Sequence, residues 1–180
     1  IYKNHTLSDF SGKKFKNKRH AHDKFKNSYQ DIKLIITNEI DEKNKKDIAG
    51  LDERWAKDKF EKMVDFDIKN EIQAVKKFFS ALSNFSDYRF SFFCLYVGNE
   101  LVGFSISSII DSNYTLCHFN KGDIKYQGVY EYLLRNYGEN LYKIANYMNY
   151  EQDLGLPSLR FSKNSFRPHS FLKKYVIVML

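Results

Sequence analysis

The sequence predicts an α/β domain of the α+β kind, a mixed central sheet flanked by helices. Three observations carry this expectation. The spacing of apolar residues switches from a helical period to a strand period near Asp87. Strand-like runs then cluster together, so strands and helices alternate only in part and the sheet should be mixed rather than all parallel. Finally, 180 residues with 43% hydrophobic composition suffice for one sizeable core, and one domain is the default at this length. With only 2 prolines and 17% aromatic residues, the chain is neither disordered nor collagen-like.

Taken in order, the first strong element follows Ser11. In GKKFKNKRHAHDKFKNSY, Phe15, Ala21 or His22, Phe25 and Tyr29 recur near helical spacing with lysines between them, an amphipathic helix with a basic face. DIKLIITNEI reads as a strand. Residues 45–63 carry Ile48, Leu51, Trp55, Phe60 and Met63 at mixed helical spacing. A further helix over about 67–84 aligns Ile68, Ile72, Val75, Phe78, Phe79 and Leu82 on one core-facing stripe. YRFSFFCLYV and LVGFSISSII flank Gly98-Asn99 as a hairpin, and YTLCHFNK is a third strand. Val129, Tyr132, Leu133, Tyr137 and Leu141 mark another helix, and ANYMNYE a short strand. RFSKNSFRP reads as a loop or irregular strand ending at Pro168, in a stretch that is a short helix or loop, and KKYVIVML as a final strand.

The net charge of +7 is unevenly spread. Residues 1–30 hold eight basic and two acidic groups, and residues 121–180 nine and five, around a slightly acidic middle. If the two ends meet they form a basic cleft suited to an anionic partner. No apolar run approaches the ~20 residues of a membrane span. Cys94 and Cys117 make neither a disulfide framework nor a metal cluster, and read as buried thiols of a cytosolic-type domain. The five histidines, 5, 20, 22, 118 and 169, form no ligand set, so no metal is expected. Phosphate loops, nucleophile elbows and zinc signatures are absent.

Three polar clusters remain. Gly12 to Arg19 opens a helix with basic residues, against the macrodipole; Lys18 and Arg19 are candidates for phosphate or carboxylate. His118 to Asp123, followed by Tyr126-Gln127-Gly128, could turn backbone N–H groups toward an anion or be an ordinary turn. Residues 149–163 alternate acids and bases: Glu151 and Asp153, then Arg160 and Lys163. They form either a local salt-bridge network or a pocket in which Glu151 or Asp153 holds an amine and Arg160 or Lys163 stabilises an oxyanion.

NYEQDLGLPSLRFSKNSFRPHSFLKKY, residues 149–175, resembles the C-terminal signature of the phosphatidylglycerol lysyltransferase C-terminal-like family. SGKKFKNKRHAHDKFK resembles that family's linking helix, GNELVGFSI its second-half hairpin and HFNKGDIKYQGVYEYLL its turn-and-helix segment. The resemblance spans nearly the whole chain. It implies a GNAT-like acyltransferase fold of which residues 1–180 would be one domain, with a linking helix at about 11–29, and the C-terminal half of a tandem protein. Carried over by position, the cleft residues it implies are Lys18 with Arg19, Asp153, Arg160 and Lys163, with Lys121 at the turn. The flippase-like transmembrane region of membrane-bound members is lacking here, and Gln152-Asp153-Leu154-Gly155 follows the shorter branch.

The expected activity is transfer of an activated acyl group to an amine or hydroxyl. The donor would be aminoacyl-tRNA or acyl-CoA, and no bound cofactor is required. Asp153, Arg160 and Lys163 would be catalytic; Lys18, Arg19, Lys121 and Glu151 would bind substrate. Partners would be an anionic co-substrate (tRNA, CoA or a lipid headgroup) and a preceding GNAT-like domain. The expected location is the cytoplasm, with peripheral contact at the inner membrane face as a variant. The rivals are a non-catalytic basic module that binds RNA, a nucleotide or an anionic surface, and a structural half that supports a partner domain.

Overall fold

A computed structural model describes residues 1–60 and 68–178, without the side chains of 59–60 and 68–72. Chain order is β1 (Tyr2–Lys3), α1 (Asn4–Asp9), α2 (Lys16–Ser28), β2 (Ile32–Thr37), α3 (Glu42–Phe60), α4 (Ile68–Ala81), β3 (Arg89–Val97), β4 (Glu100–Ile109), β5 (Tyr114–Gly122), α5 (Val129–Leu141), β6 (Tyr147–Asn149) and α6 (Pro157–Ser165). The strands form one mixed sheet in the order β1-β6-β5-β4-β3-β2. All neighbours are antiparallel except β5 and β6, which are parallel and joined across the sheet by α5.

β3 explains the layering. Its run Phe90 to Tyr96 is apolar without alternation, apart from Ser91, because both sheet faces are covered. Phe93 and Leu95 pack with Phe10, Phe25, Leu133 and Tyr137 under α1, α2 and α5. Phe92, Cys94 and Tyr96 face Ile48, Leu51 and Val75 under α3 and α4. The Tyr96 hydroxyl meets Asn44 Oδ1 at 2.7 Å and Asp47 Oδ2 at 2.8 Å, which ties α3 to the sheet.

Helix α5 sits low on the opposite face. Gly103 of β4 and Gly122 of β5 are paired across the sheet. A Cβ on Gly103 would come 2.8 Å from Leu133 Cδ1, and one on Gly122 would come 2.8 Å from Val129 Cγ1. The two glycines are therefore the seat of the helix. Thr115 accepts a 2.7 Å bond from the Tyr137 hydroxyl further along.

The hairpin at Gly98-Asn99 and the helix expected at 129–141 form; of the helix expected at about 11–29, residues 13–28 are helical, and of that expected at 45–63, the described residues 45–60 are helical. Of the α4 stripe, Val75 is buried while Phe78, Phe79 and Leu82 pack on the core; Phe60, Met63, Ile68 and Ile72 fall outside the described residues or side chains. Residues 157–165, expected as loop, irregular strand or short helix, are helix, opened by Pro157 at a position where its missing N–H costs nothing. One expectation is corrected: residues 173–178 of the expected final strand do not pair but run as irregular exposed chain, with Val176 and Ile177 at 90% and 91% exposure. High β propensity without a neighbouring strand leaves the backbone to water. The sequence reading also passed over β1 and α1, whose Leu7 and Phe10 are fully buried and whose Asn4 side chain donates to Ala145 O at 2.9 Å.

Gly138 of α5 provides a test of this packing. A Cβ there would lie 2.5 Å from Ser8 N and 2.8 Å from Asn4 O, both backbone atoms of α1. Alanine gains about 1 kcal/mol in helix propensity, but the clash with immobile backbone costs up to about 3 kcal/mol or more. Urea unfolding of Gly138→Ala should therefore show a net loss of about 2 kcal/mol; a gain would refute the close α1–α5 contact.

Candidate functional site

The parallel pair β5 and β6 is joined only at Tyr114↔Tyr147, Thr115↔Met148 and Leu116↔Asn149. β6 then ends while β5 runs on to Gly122. Adjacent parallel strands that part at their carboxyl ends leave a crevice, the usual place for a ligand in an α/β sheet. Three tyrosines occupy it. Asn120 Nδ2 donates to Tyr150 Oη at 2.6 Å, the Tyr130 hydroxyl donates to Gly122 O at 3.2 Å, and that of Tyr2 to Lys163 O at 2.8 Å. Desolvation raises the pKa of all three phenols, which keeps them neutral donors. Burial also pushes the Cys117 thiol up to about 12, so it is no nucleophile.

His118 stands at the mouth because β5 carries one extra residue. Phe119 pairs with Ile106 and Cys117 with Ser107, which leaves His118 bulged between them. The ring lies between Phe78 and Phe90, each at 6.2 Å between centroids. Its Nε2 is 2.9 Å from Ser108 Oγ and its Nδ1 3.8 Å from Glu151 Oε1. Desolvation lowers the imidazole pKa, so the neutral ring prevails at neutral pH. Ser108 is only 2% exposed; it fixes the ring's orientation rather than meeting a substrate. Glu151 is held in the left-handed region at φ 51°, and its N–H donates to Asn149 Oδ1 at 3.0 Å.

The residues singled out from sequence fall into separate groups. Lys163 reaches back from α6 to Tyr150 O at 2.5 Å and Gln152 O at 2.8 Å, and its charge and that of Glu151 both act on the Cys117 thiol. Glu151 and Lys163 therefore flank the crevice together. Asp153 and Arg160 form an exposed pair, Nε to Oδ2 at 2.6 Å, that closes the turn into α6; the Arg160 hydrogen bond holds the Asp153 carboxyl below the usual range. Lys18 lies on the other side, paired with Glu131 at 3.0 Å and with its ammonium 3.7 Å from the Phe166 ring centroid. Arg19 donates to Phe10 O and Gly12 O, satisfying carbonyls that follow α1.

Lys121 points to the opposite face. Its ammonium meets Asp52 of α3 at 2.5 Å and lies 4.3 Å from the Trp55 ring centroid, and both members of the ion pair are almost fully buried. The sequence named Lys121 but not Asp52, since nothing local links positions 69 residues apart.

Several donors of the segment before α5 are used within the fold. The N–H groups of Asp123, Lys125, Tyr126, Gln127 and Val129 bond respectively to Val102 O, Asp123 Oδ1, Asp123 O, Tyr29 Oη and Tyr126 O. A Cβ on Gly128 would lie 2.1 Å from Ala21 O, so α2 covers the start of α5. The Glu131 carboxylate fills its first turn.

The chain matches the family described as phosphatidylglycerol lysyltransferase, C-terminal, over residues 1–178. It belongs to that family. A solved structure from Bacteroides thetaiotaomicron VPI-5482, a conserved protein of unknown function, is 24% identical and superposes with a TM-score of 0.81 over 94% of this chain. The chain spans 55% of that protein's length. A possible acetyltransferase from Clostridium difficile 630 is 14% identical, with a TM-score of 0.51 over 83% of this lysyltransferase-family chain and 98% of its own. At these identities the likeness is one of fold. No curated protein gives a significant match. No described helix of this family member is long and apolar enough to cross a membrane.

Two measurements test the site's electrostatics. The lowered His118 pKa means the unfolded chain binds more protons than the folded one near and below about pH 6.5. Its contribution to stability is whole above that value and is lost as pH falls through the lower folded pKa. NMR titration should place the ring below 6.5, and His118→Gln should flatten the acid limb of stability against pH. Second, Lys121→Met removes the ammonium from the buried Asp52 carboxylate and should cost about 3–5 kcal/mol in chemical unfolding. Adding Asp52→Leu should recover most of that loss.

Proposed function

We propose that this chain is the C-terminal, GNAT-like half of a two-domain transferase, and that it moves an aminoacyl group from an ester on RNA to an amine or hydroxyl. The observation that carries the reading is the parting of β5 from β6 beside a neutral imidazole and a carboxylate. Membership of a lysyltransferase family supports a transferase. The packing of α2 over Gly128 at the start of α5 favours an aminoacyl ester over a CoA thioester in this reading. The exposed lysines of the α2 region, Lys13, Lys14, Lys16, Lys24 and Lys26, would lie along RNA phosphates.

In this reading Ser108 accepts the Nε2–H of His118, so the Nδ1 lone pair faces Glu151. An acceptor amine held by Glu151 attacks the ester carbonyl and gives its proton to Nδ1. The new C–N bond forms as the ester C–O bond breaks, and His118 returns the proton to the leaving ribose oxygen. Lys163 keeps the turn bearing Glu151 in place and adds positive potential where the oxyanion develops. Asp153 and Arg160 would contact the donor at the rim.

Single-turnover transfer from charged tRNA tests this. His118→Gln should slow the step by about 10²–10⁴-fold, and Glu151→Gln should weaken use of an amine acceptor. Lys163→Met should fall between wild type and His118→Gln, and Asp153→Ala should act mainly on donor binding. Full activity in both His118→Gln and Glu151→Gln would sink the proposed chemistry. RNA binding with a steep salt dependence, no turnover and no effect of His118→Gln would instead favour the basic binding module, for which the α2 lysines are the supporting observation.

A further inference from the structure

A second concavity lies at the far edge of the sheet, where β1, α1 and the end of α6 meet. It has a volume of about 140 Å³ and is lined by Tyr2, Lys3, Thr6, Leu7, Phe166, Arg167 and His169. At about 30 Å³ per water it has room for four or five waters. Tyr2, Leu7 and Phe166 are buried beneath it, and the surface it presents is more polar than apolar. Its rim carries Lys3, Arg167 and His169 with the Thr6 hydroxyl, and the lining contains no carboxylate. Among the described residues, neither Lys3 nor Arg167 forms an ion pair or a side-chain hydrogen bond. The His169 ring is fixed by stacking on Tyr147 at 5.6 Å.

The backbone of Arg167 adds an independent observation. It follows the last turn of α6, with its N–H bonded to Asn164 O at 2.9 Å, and adopts φ 55°. This is the position at which helices favour glycine. The strain is compounded by Pro168, which restricts the residue before it. An arginine retained in a conformation that glycine would adopt freely points to a use for its side chain.

We propose that this concavity is a phosphate subsite, in which Lys3, Arg167 and His169 supply positive charge and the Thr6 hydroxyl a further hydrogen bond. Donors arriving from separate elements suit a tetrahedral group with several acceptor oxygens better than a planar carboxylate. The proposal stands apart from the acyl-transfer reading, since it uses none of the crevice residues assigned to chemistry there.

The experiment uses the 180-residue chain and NMR or calorimetric titration with inorganic phosphate, glycerol phosphate and acetate. Vesicles of phosphatidylcholine, with and without phosphatidic acid, form a second arm. Phosphate or glycerol phosphate should shift the signals of Thr6, Arg167 and His169, and acetate should do so far more weakly. Arg167→Gly should weaken binding tenfold or more while leaving the melting temperature equal or higher, because the backbone strain is relieved. Lys3→Gln should weaken it severalfold. Binding of the soluble phosphates assigns a soluble ligand; binding confined to phosphatidic acid vesicles, and lost in Arg167→Gly, assigns the same site to a lipid headgroup. If Arg167→Gly bound as tightly as wild type in both arms, or if acetate matched phosphate, the proposal would be overturned.

Discussion

Helix α5 can approach the sheet only because Gly103 and Gly122 stand side by side beneath it. That contact sets the rest of the architecture. It places Val129 and Leu133 in the core, and it carries Tyr130 into the gap beyond Gly122. It also brings Gly138 against the backbone of α1, which in turn fixes β1 at the sheet edge through Asn4. A side chain at either sheet glycine would lift the helix and disturb both ends of the molecule, because close-packed interiors transmit displacement rather than absorb it.

The crevice and the basic ends of the chain are connected through α6. Lys163 anchors the segment after β6, the Lys163 carbonyl receives the Tyr2 hydroxyl, and Phe166 one turn later lies under the Lys18 ammonium. The first and last parts of the chain therefore meet, as the family resemblance implies. Their charges do not pool in one place. Lys18 and Lys121 face Glu131 and Asp52, and Arg160 faces Asp153. What remains exposed is spread over the α2 lysines, Lys125, Lys143, the rim at Arg167, and Lys173 and Lys174.

Features set by local pattern were legible from the sequence. The β3–β4 hairpin follows from two β-favouring runs about Gly98-Asn99, and α5 from the period of its apolar face. Legibility failed where the determinant was remote. Asp52 and Lys121 find each other only in the folded state. The bulge at His118 leaves no composition signal, yet it turns Thr115 and Cys117 toward α5 and brings the imidazole toward Glu151. Of the polar cluster 149–163, Glu151 and Lys163 flank the crevice while Asp153 and Arg160 close a surface turn, a division that alternating charge alone could not reveal.

The unpaired stretch from Tyr175 to Val178 has a practical consequence. Tyr175-Val176-Ile177-Val178-Met179-Leu180 has no charge, no proline and no glycine, and its described residues are 72–91% exposed. Such a segment has the composition of one that stacks with copies of itself into cross-strand ladders. Two lysines stand just before it, at 173 and 174, and act as gatekeepers by mutual repulsion between molecules. That repulsion is screened over about 8 Å at physiological ionic strength. The colloidal behaviour of this domain should therefore turn on salt and protein concentration before it turns on folding stability.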